Sequence, residues 1–177
     1  MRVQGGSAKG RKLGGNIGAN VRPTTARVKK SIFDSLFNVV DFQGARVLDL
    51  FAGTGALGFE CASRGASSVV FVESNIATSK SLSKTLGLLS KDDIECDFKV
   101  VQFDAVTYLK RNATAQFDLA FVDPPYVFDE WSEILDTLNA KIIVAESNRE
   151  LPQAIRYERI KFKKYGDTYV SFLKRTF

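Results

Sequence analysis

Val47-Leu48-Asp49-Leu50-Phe51-Ala52-Gly53-Thr54-Gly55-Ala56-Leu57-Gly58 runs from a short apolar strand through a glycine turn into a helical pattern. Gly53, Gly55 and Gly58 form a G-x-G-x-x-G, and Glu73 stands 20 residues beyond Gly53, at the end of the next apolar run, Ser68–Glu73. Glycines let the backbone approach a ligand closely, and an acid at that distance can accept hydrogen bonds from both ribose hydroxyls. The bare pattern fits a dinucleotide as well as S-adenosylmethionine (SAM), and it also fits a tight strand–helix turn with no ligand.

Outward from this unit the alternation continues. Phe98–Gln102, Phe117–Val122 and Lys141–Glu146 read as further strands, with helices at Ala56–Arg64, around Ile76–Leu89, near 105–111 and near 129–139. Strands alternating with helices of about ten residues predict a mostly parallel, doubly wound α/β sheet. The end differs: Arg156–Lys164, the turn Tyr165-Gly166-Asp167 and Thr168–Leu173 predict a closing antiparallel hairpin. Upstream, Pro23-Thr24-Thr25 starts an amphipathic helix carrying Val28, Ile32 and Leu36. Residues 1–22 are Gly-rich and basic, and read as a flexible or hairpin-forming arm ahead of a single domain at 23–177. With few large apolar residues, that arm is expected to be removable without loss of the fold.

Three features favour SAM at the glycine turn. Asp49 and Phe51 precede it, where a carboxylate would repel a pyrophosphate and attract a methionine ammonium. Asp104 follows the third strand and can accept from an adenine amino group, or cap the next helix. The fourth strand, Leu119-Ala120-Phe121-Val122, stops at Asp123-Pro124-Pro125-Tyr126. Each proline fixes φ and removes an N–H, so this turn offers a carboxylate, carbonyl acceptors and an aromatic face. That set suits a flat ring bearing an amino group, although a Pro-rich turn with a core tyrosine would look the same. It falls at the carboxyl edge of the sheet, where such folds bind ligands.

Composition narrows the chemistry. The 177 residues suit one well-buried domain, 45% hydrophobic and 25% charged. Histidine is absent, which excludes a Ser-His-Asp triad, a His-metal site and the usual histidine acid–base work. Cys61 and Cys96 make no disulfide framework, the opening residues lack a signal-peptide core and no run approaches a membrane span, so a cytoplasmic setting without membrane or metal is expected. The net charge of +5 is uneven. Residues 1–33 hold eight Lys/Arg and no acid, residues 156–177 hold seven against two, and 31–155 is left at −8. A basic arm and tail on an acidic globule is the footprint of a nucleic-acid binder.

Arg22-Pro23-Thr24-Thr25-x-Arg27, the Val47–Gly58 block, Ser63-Arg64-Gly65-Ala66, Phe117-Asp118-x-x-Phe121-Val122-Asp123-Pro124-Pro125-Tyr126 and Lys164-Tyr165-Gly166-Asp167-Thr168 occur in that order. Together, from Val3 to Phe172, they resemble the RsmD-type methyltransferases, which methylate the exocyclic N2 of a guanine in bacterial small-subunit (16S) ribosomal RNA. One departure is Ala145-Glu146-Ser147, which lacks the histidine often following that glutamate. The resemblance implies a Rossmann-like SAM-dependent methyltransferase fold and ribosomal RNA, or a small-subunit particle, as partner. The implied catalytic set is Asp123, Pro124, Pro125 and Tyr126. The cofactor set is Thr24, Asp49, Phe51, Gly53, Gly55, Gly58, Glu73 and Asp104, and the RNA-facing set is Arg2, Lys9, Arg11, Lys12, Arg22 and Arg27. Three alternatives stay open: an adenine-N6 or cytosine-N4 methyltransferase, a dinucleotide-dependent reductase, and a non-catalytic RNA-binding assembly module.

Overall fold

The computed structural model describes residues 2–12, 26–89 and 94–176. Its elements run α1 (Ala26–Leu36), β1 (Arg46–Asp49), α2 (Ala56–Ser63), β2 (Ser68–Val72), α3 (Ile76–Gly87), β3 (Asp97–Val101), α4 (Ala105–Arg111), β4 (Phe117–Val122), α5 (Trp131–Thr137), β5 (Ala140–Ser147), β6 (Tyr157–Tyr165) and β7 (Thr168–Arg175). The seven strands form one sheet in the order β3-β2-β1-β4-β5-β7-β6. Neighbours from β3 to β5 pair in parallel, whereas β7 pairs antiparallel with both β5 and β6. The Rossmann-like sheet with its closing hairpin is therefore as the sequence predicts. The fifth helix is shorter than the expected 129–139, and the proposed helix start at Pro23, like Arg22 and Thr24, lies outside the described residues.

The central strands are mostly apolar because both faces are covered. On one face Val47, Val69, Phe71, Leu119 and Phe121 pack under Ile32, Phe33 and Leu36 of α1, with Leu57 and Phe59 of α2 and Leu82 of α3. On the other, Leu48, Val72, Ala120, Val122 and Ile143 pack under Val106 and Leu109 of α4 and Ile134 and Leu135 of α5. Caps fix the helix starts beside the carboxyl edge. Asn75 accepts from the Thr78 N–H at 3.0 Å at the start of α3, and Asp104 accepts from the Thr107 N–H at 2.9 Å at the start of α4. Among the described residues no helix is long and apolar enough to cross a membrane.

Residues 2–12 correct the expectation of a removable arm. Arg2 and Lys12 bridge antiparallel, so a small hairpin does form, but it is fastened to α2. Val3 and Ala8 are buried, and the Gln4 N–H donates to Glu60 Oε2 at 2.8 Å. The Ser7 N–H donates to the Ser63 carbonyl at 2.7 Å, and Gly6 lies so close to that carbonyl that a Cβ could not be accommodated. Lys29 of α1, itself buried, completes the joint by donating to Glu60 Oε2 at 3.2 Å and to the Arg2 carbonyl at 2.9 Å. Small residues and backbone bonds, rather than large side chains, hold this segment.

Candidate active site

β1 and β4 are adjacent, with Asp49 opposite Phe121, so the glycine turn and the Asp123–Tyr126 turn leave the sheet side by side. This is also where the strand order changes direction, the crevice at which doubly wound sheets bind ligands. The Leu50 N–H donates to the Phe121 carbonyl at 3.0 Å, joining the two exits directly.

The glycine turn is shaped by packing. Gly55 has φ 74°, the left-handed region, and a Cβ there would lie 2.8 Å from Leu82 Cδ1. A Cβ on Gly58 would collide with the Phe71 ring, so this glycine lets α2 settle against β2. Glu73 holds the turn from outside. One oxygen accepts the Gly53 N–H at 2.9 Å and the other the Asn75 N–H at 2.8 Å. Asp49 lies beneath and accepts the Gly58 N–H at 3.1 Å. Phe51 meets Phe128 edge-on, ring centroids 5.3 Å apart, and Phe128 meets Trp131 likewise at 5.7 Å. Phe51 thus links the glycine turn to the segment just past Tyr126.

At Asp123-Pro124-Pro125-Tyr126 the structure narrows what the sequence suggested. The Pro125 carbonyl accepts the Phe128 N–H at 2.9 Å, and the Tyr126 carbonyl accepts from Asn148 at 3.2 Å. Those two acceptors are occupied in shaping the turn. Tyr126 keeps 43% of its surface exposed, and its hydroxyl lies 3.2 Å from Thr168 Oγ1 at the start of β7.

The sequence reading did not single out Glu146 as a site residue. It sits near the end of β5, one residue past the Val122–Ala145 pairing that sets β5 beside β4. It is buried, and its Oε1 has no hydrogen-bond partner among the described residues. Burial, with Asp123 and then Asp49 nearby, pushes its carboxyl up to about 8. Asp49 is likewise raised to about 8 by burial, against the Gly58 hydrogen bond and reinforced by Asp123 and Glu73. Burial therefore favours the protonated form of Asp49 over the anion expected from the sequence, until a cation arrives to pair with it. The one signal for Glu146 in the sequence was a glutamate closing the strand after the Asp-Pro-Pro-Tyr strand.

Four carboxylates (Asp49, Glu73, Asp123 and Glu146) thus gather at one edge of the sheet. Burial first and then their mutual repulsion raise Asp49 and Glu146, and such an edge favours a cationic ligand and disfavours a pyrophosphate. Asp104 is exposed and already caps α4 with one oxygen, which leaves it a second carboxylate oxygen. Of the basic candidates, Arg2, Lys9, Lys12 and Arg27 are exposed and Arg11 is half-buried.

The chain matches the family described as conserved hypothetical protein 95 over residues 1–174. It is 37% identical to the Bacillus subtilis protein named "Putative rRNA methyltransferase YlbH", over 99% of both chains. It is also 37% identical to the Escherichia coli protein named Ribosomal RNA small subunit methyltransferase D, over 71% of this chain and 60% of that one. Among solved structures, the Escherichia coli protein titled "Putative methyltransferase yhhF" superposes with a TM-score of 0.84 at 31% identity, covering 99% of this chain and 97% of that one.

Proposed function

Because the chain belongs to the conserved hypothetical protein 95 family, the RsmD-type methyltransferases, we propose that it transfers a methyl group from SAM to the exocyclic N2 amine of a guanine in small-subunit ribosomal RNA. The observation that carries this reading is the adjacency of β1 and β4, which brings the glycine turn and Asp123-Pro124-Pro125-Tyr126 to one crevice. When bound, SAM supplies an electrophilic methyl carbon on a cationic sulfonium, and the acid-lined crevice fits that charge.

Gly53 and Gly55 would let the backbone approach the adenosyl group closely, with Glu73 to accept from the ribose and Asp104 from the adenine. Thr24 joins this set by resemblance alone. Asp49 would hold the methionine ammonium, giving up its proton to form the ion pair. On the acceptor side Tyr126 stacks under the extruded guanine, as an enzyme acting on a base requires. Asp123 and the Pro124 carbonyl accept the two N2 hydrogens, which turns the nitrogen lone pair out of the ring plane and toward the methyl carbon. Orientation and electrostatic fit do most of the work. N2 loses a proton only after it has become cationic, so no strong base is needed, in keeping with a chain without histidine. Arg2, Lys9, Arg11, Lys12, Arg22 and Arg27 would meet RNA phosphates.

The test is incubation with labelled SAM and either total ribosomal RNA or small subunits lacking the modification, followed by nucleoside analysis. Label in N2-methylguanosine is the expected result. Label in N6-methyladenosine or N4-methylcytidine would overturn the base assignment, and no transfer to either substrate would overturn the reaction.

A further inference from the structure

The β6–β7 hairpin is strongly basic and lies outside the catalytic set, and its two faces differ. Lys163 Nζ donates to Ser31 Oγ at 2.7 Å, and the Tyr165 hydroxyl also meets Ser31, so that face of β6 is fastened to α1. Alternation along the strand turns Phe162 and Lys164 the other way, where Phe162 pairs with Ser171 and Lys164 with Tyr169. A bulge between Arg159 and Lys161 brings Arg159, opposite Leu173, onto that same second face. There the four side chains form a row. The Arg159 guanidinium lies 5.0 Å from the Phe162 ring centroid, Phe162 lies 5.5 Å from the Tyr169 ring, and Lys164 Nζ lies 4.9 Å from the Tyr169 ring. Arg159 and Lys164 are exposed and Phe162 keeps 40% of its surface in water, so the row is open.

Position gives this row a purpose. Thr168, the residue before Tyr169, is the one whose hydroxyl meets Tyr126. Thr168 pairs with Tyr165 and so turns toward the α1 side, and the row begins one residue further along β7, around the hairpin from the contact with Tyr126. Cations alternating with aromatic rings on an open sheet face suit single-stranded RNA, whose bases stack on the rings while its phosphates meet the cations.

We infer that the Arg159–Phe162–Tyr169–Lys164 row is an RNA-docking track that holds the nucleotides flanking the target guanine, and so delivers that guanine to Tyr126. The inference rests on the RNA-methyltransferase reading above. Its occupant is unpaired RNA, by charge complementarity with a basic face and by the stacking surface, rather than an acidic protein.

The experiment compares wild type, Phe162→Ala and the pair Arg159→Gln/Lys164→Gln, all at positions outside the catalytic set. The probe is unmodified small-subunit ribosomal RNA transcript, free of protein, titrated across salt concentrations. Melting temperature and SAM affinity are measured in parallel. Phe162→Ala should weaken RNA binding by roughly fivefold or more with an unchanged salt slope, since it removes stacking. The charge pair should flatten the salt slope by about 1.4, ~0.7 for each single-strand phosphate that is no longer neutralised. Both variants should raise KM for RNA while leaving kcat and SAM affinity near wild type. If wild type binds the transcript and both variants match it, the row only guards a sheet edge and the inference is overturned. If the variants lose affinity for assembled subunits but not for transcript, the occupant is protein and the inference again fails. A wild type that transfers no methyl group and binds no RNA removes the underlying reading as well, and is thereby distinguished from failure of the track alone.

Discussion

Glu73 reaches across 20 residues of chain to accept the Gly53 N–H at 2.9 Å, so the residue proposed to face the ribose also sets the glycine turn. Glu73→Ala should therefore weaken SAM by about 1.5–3 kcal/mol, roughly ten- to hundredfold, as expected for loss of a charged hydrogen-bond partner. Glu73→Gln should also weaken binding, because an amide N–H turned toward Gly53 or Asn75 would face another donor. Calorimetry measures both, and unchanged affinity would remove Glu73 from the site. Tight binding of NAD to the wild type would instead revive a dinucleotide-dependent reductase.

Asp123→Ala separates chemistry from cofactor binding. The Pro125 and Tyr126 carbonyls take part in shaping the turn, and Asp123 with the Pro124 carbonyl is the proposed acceptor pair. Turnover should fall on the order of a hundredfold or more, the scale of losing a hydrogen-bond partner in the transition state. SAM affinity should change little. A variant that methylates at the wild-type rate would sink the orientation mechanism.

The raised carboxyls of Asp49 and Glu146 set a pH dependence with a definite sign. Both are pushed up to about 8 in the fold, from ordinary values of 3.8 and 4.5. The folded chain therefore holds protons that the unfolded chain has already released. Their contribution to stability is fully present below about pH 4 and is lost as pH rises toward 8. A cationic ligand favours the ionised forms, so SAM binding at pH 7 should release protons and tighten as pH approaches 8. Calorimetry in buffers of different ionisation enthalpy reads the protons directly. Glu146→Gln should raise the melting temperature relative to wild type most at the alkaline end. A pH-independent affinity with no proton release would show that neither carboxyl answers the ligand.

The glycine turn and Asp123-Pro124-Pro125-Tyr126 were legible because their cause is local. Glycine and proline dictate the backbone where they stand, and the βα alternation places both turns at the same edge. Glu146 was not legible, since its burial comes from β4 and β7 on either side and from carboxylates more than twenty residues away in sequence. Lys29 misled for a similar reason. It counts among the eight cations of residues 1–33, yet it is spent inside the protein on Glu60, which also holds Arg64. Residues 2–12 misled because docking through backbone bonds and two small buried side chains leaves no hydrophobic pattern to read.

Tyr126 should tolerate loss of its hydroxyl but not of its ring. Its hydroxyl bond to Thr168 is exposed, and such a bond contributes only about 0.5–1.5 kcal/mol. Tyr126→Phe should accordingly stay within a few-fold of wild-type turnover, whereas Tyr126→Ala loses the stacking face and should raise KM for RNA as well as lower kcat. Equal effects of the two variants would mean that the hydroxyl, not the ring, is what the substrate uses.

The N-terminal segment allows structural and RNA-binding roles to be pulled apart. Deleting residues 1–12 removes the Gln4 and Arg2 backbone partners of Glu60 and Lys29 and uncovers the surface beneath Val3 and Ala8. Each bond to a charged group is worth about 1.5–3 kcal/mol, and each kcal/mol moves the melting temperature of a chain this size by about 2–4 °C. Truncation should thus lower the melting temperature by several degrees or more, and Glu60→Ala should lower it comparably by stranding the buried Lys29, a loss of about 3–5 kcal/mol. Lys9 and Lys12, by contrast, are exposed. Lys9→Gln/Lys12→Gln should leave melting and SAM affinity at wild-type values while making RNA affinity less sensitive to salt, because bonds to phosphates carry that dependence. A truncated chain that melts like the full one would undo the docking argument. Equal salt slopes for wild type and the double variant would remove these two lysines from the RNA surface.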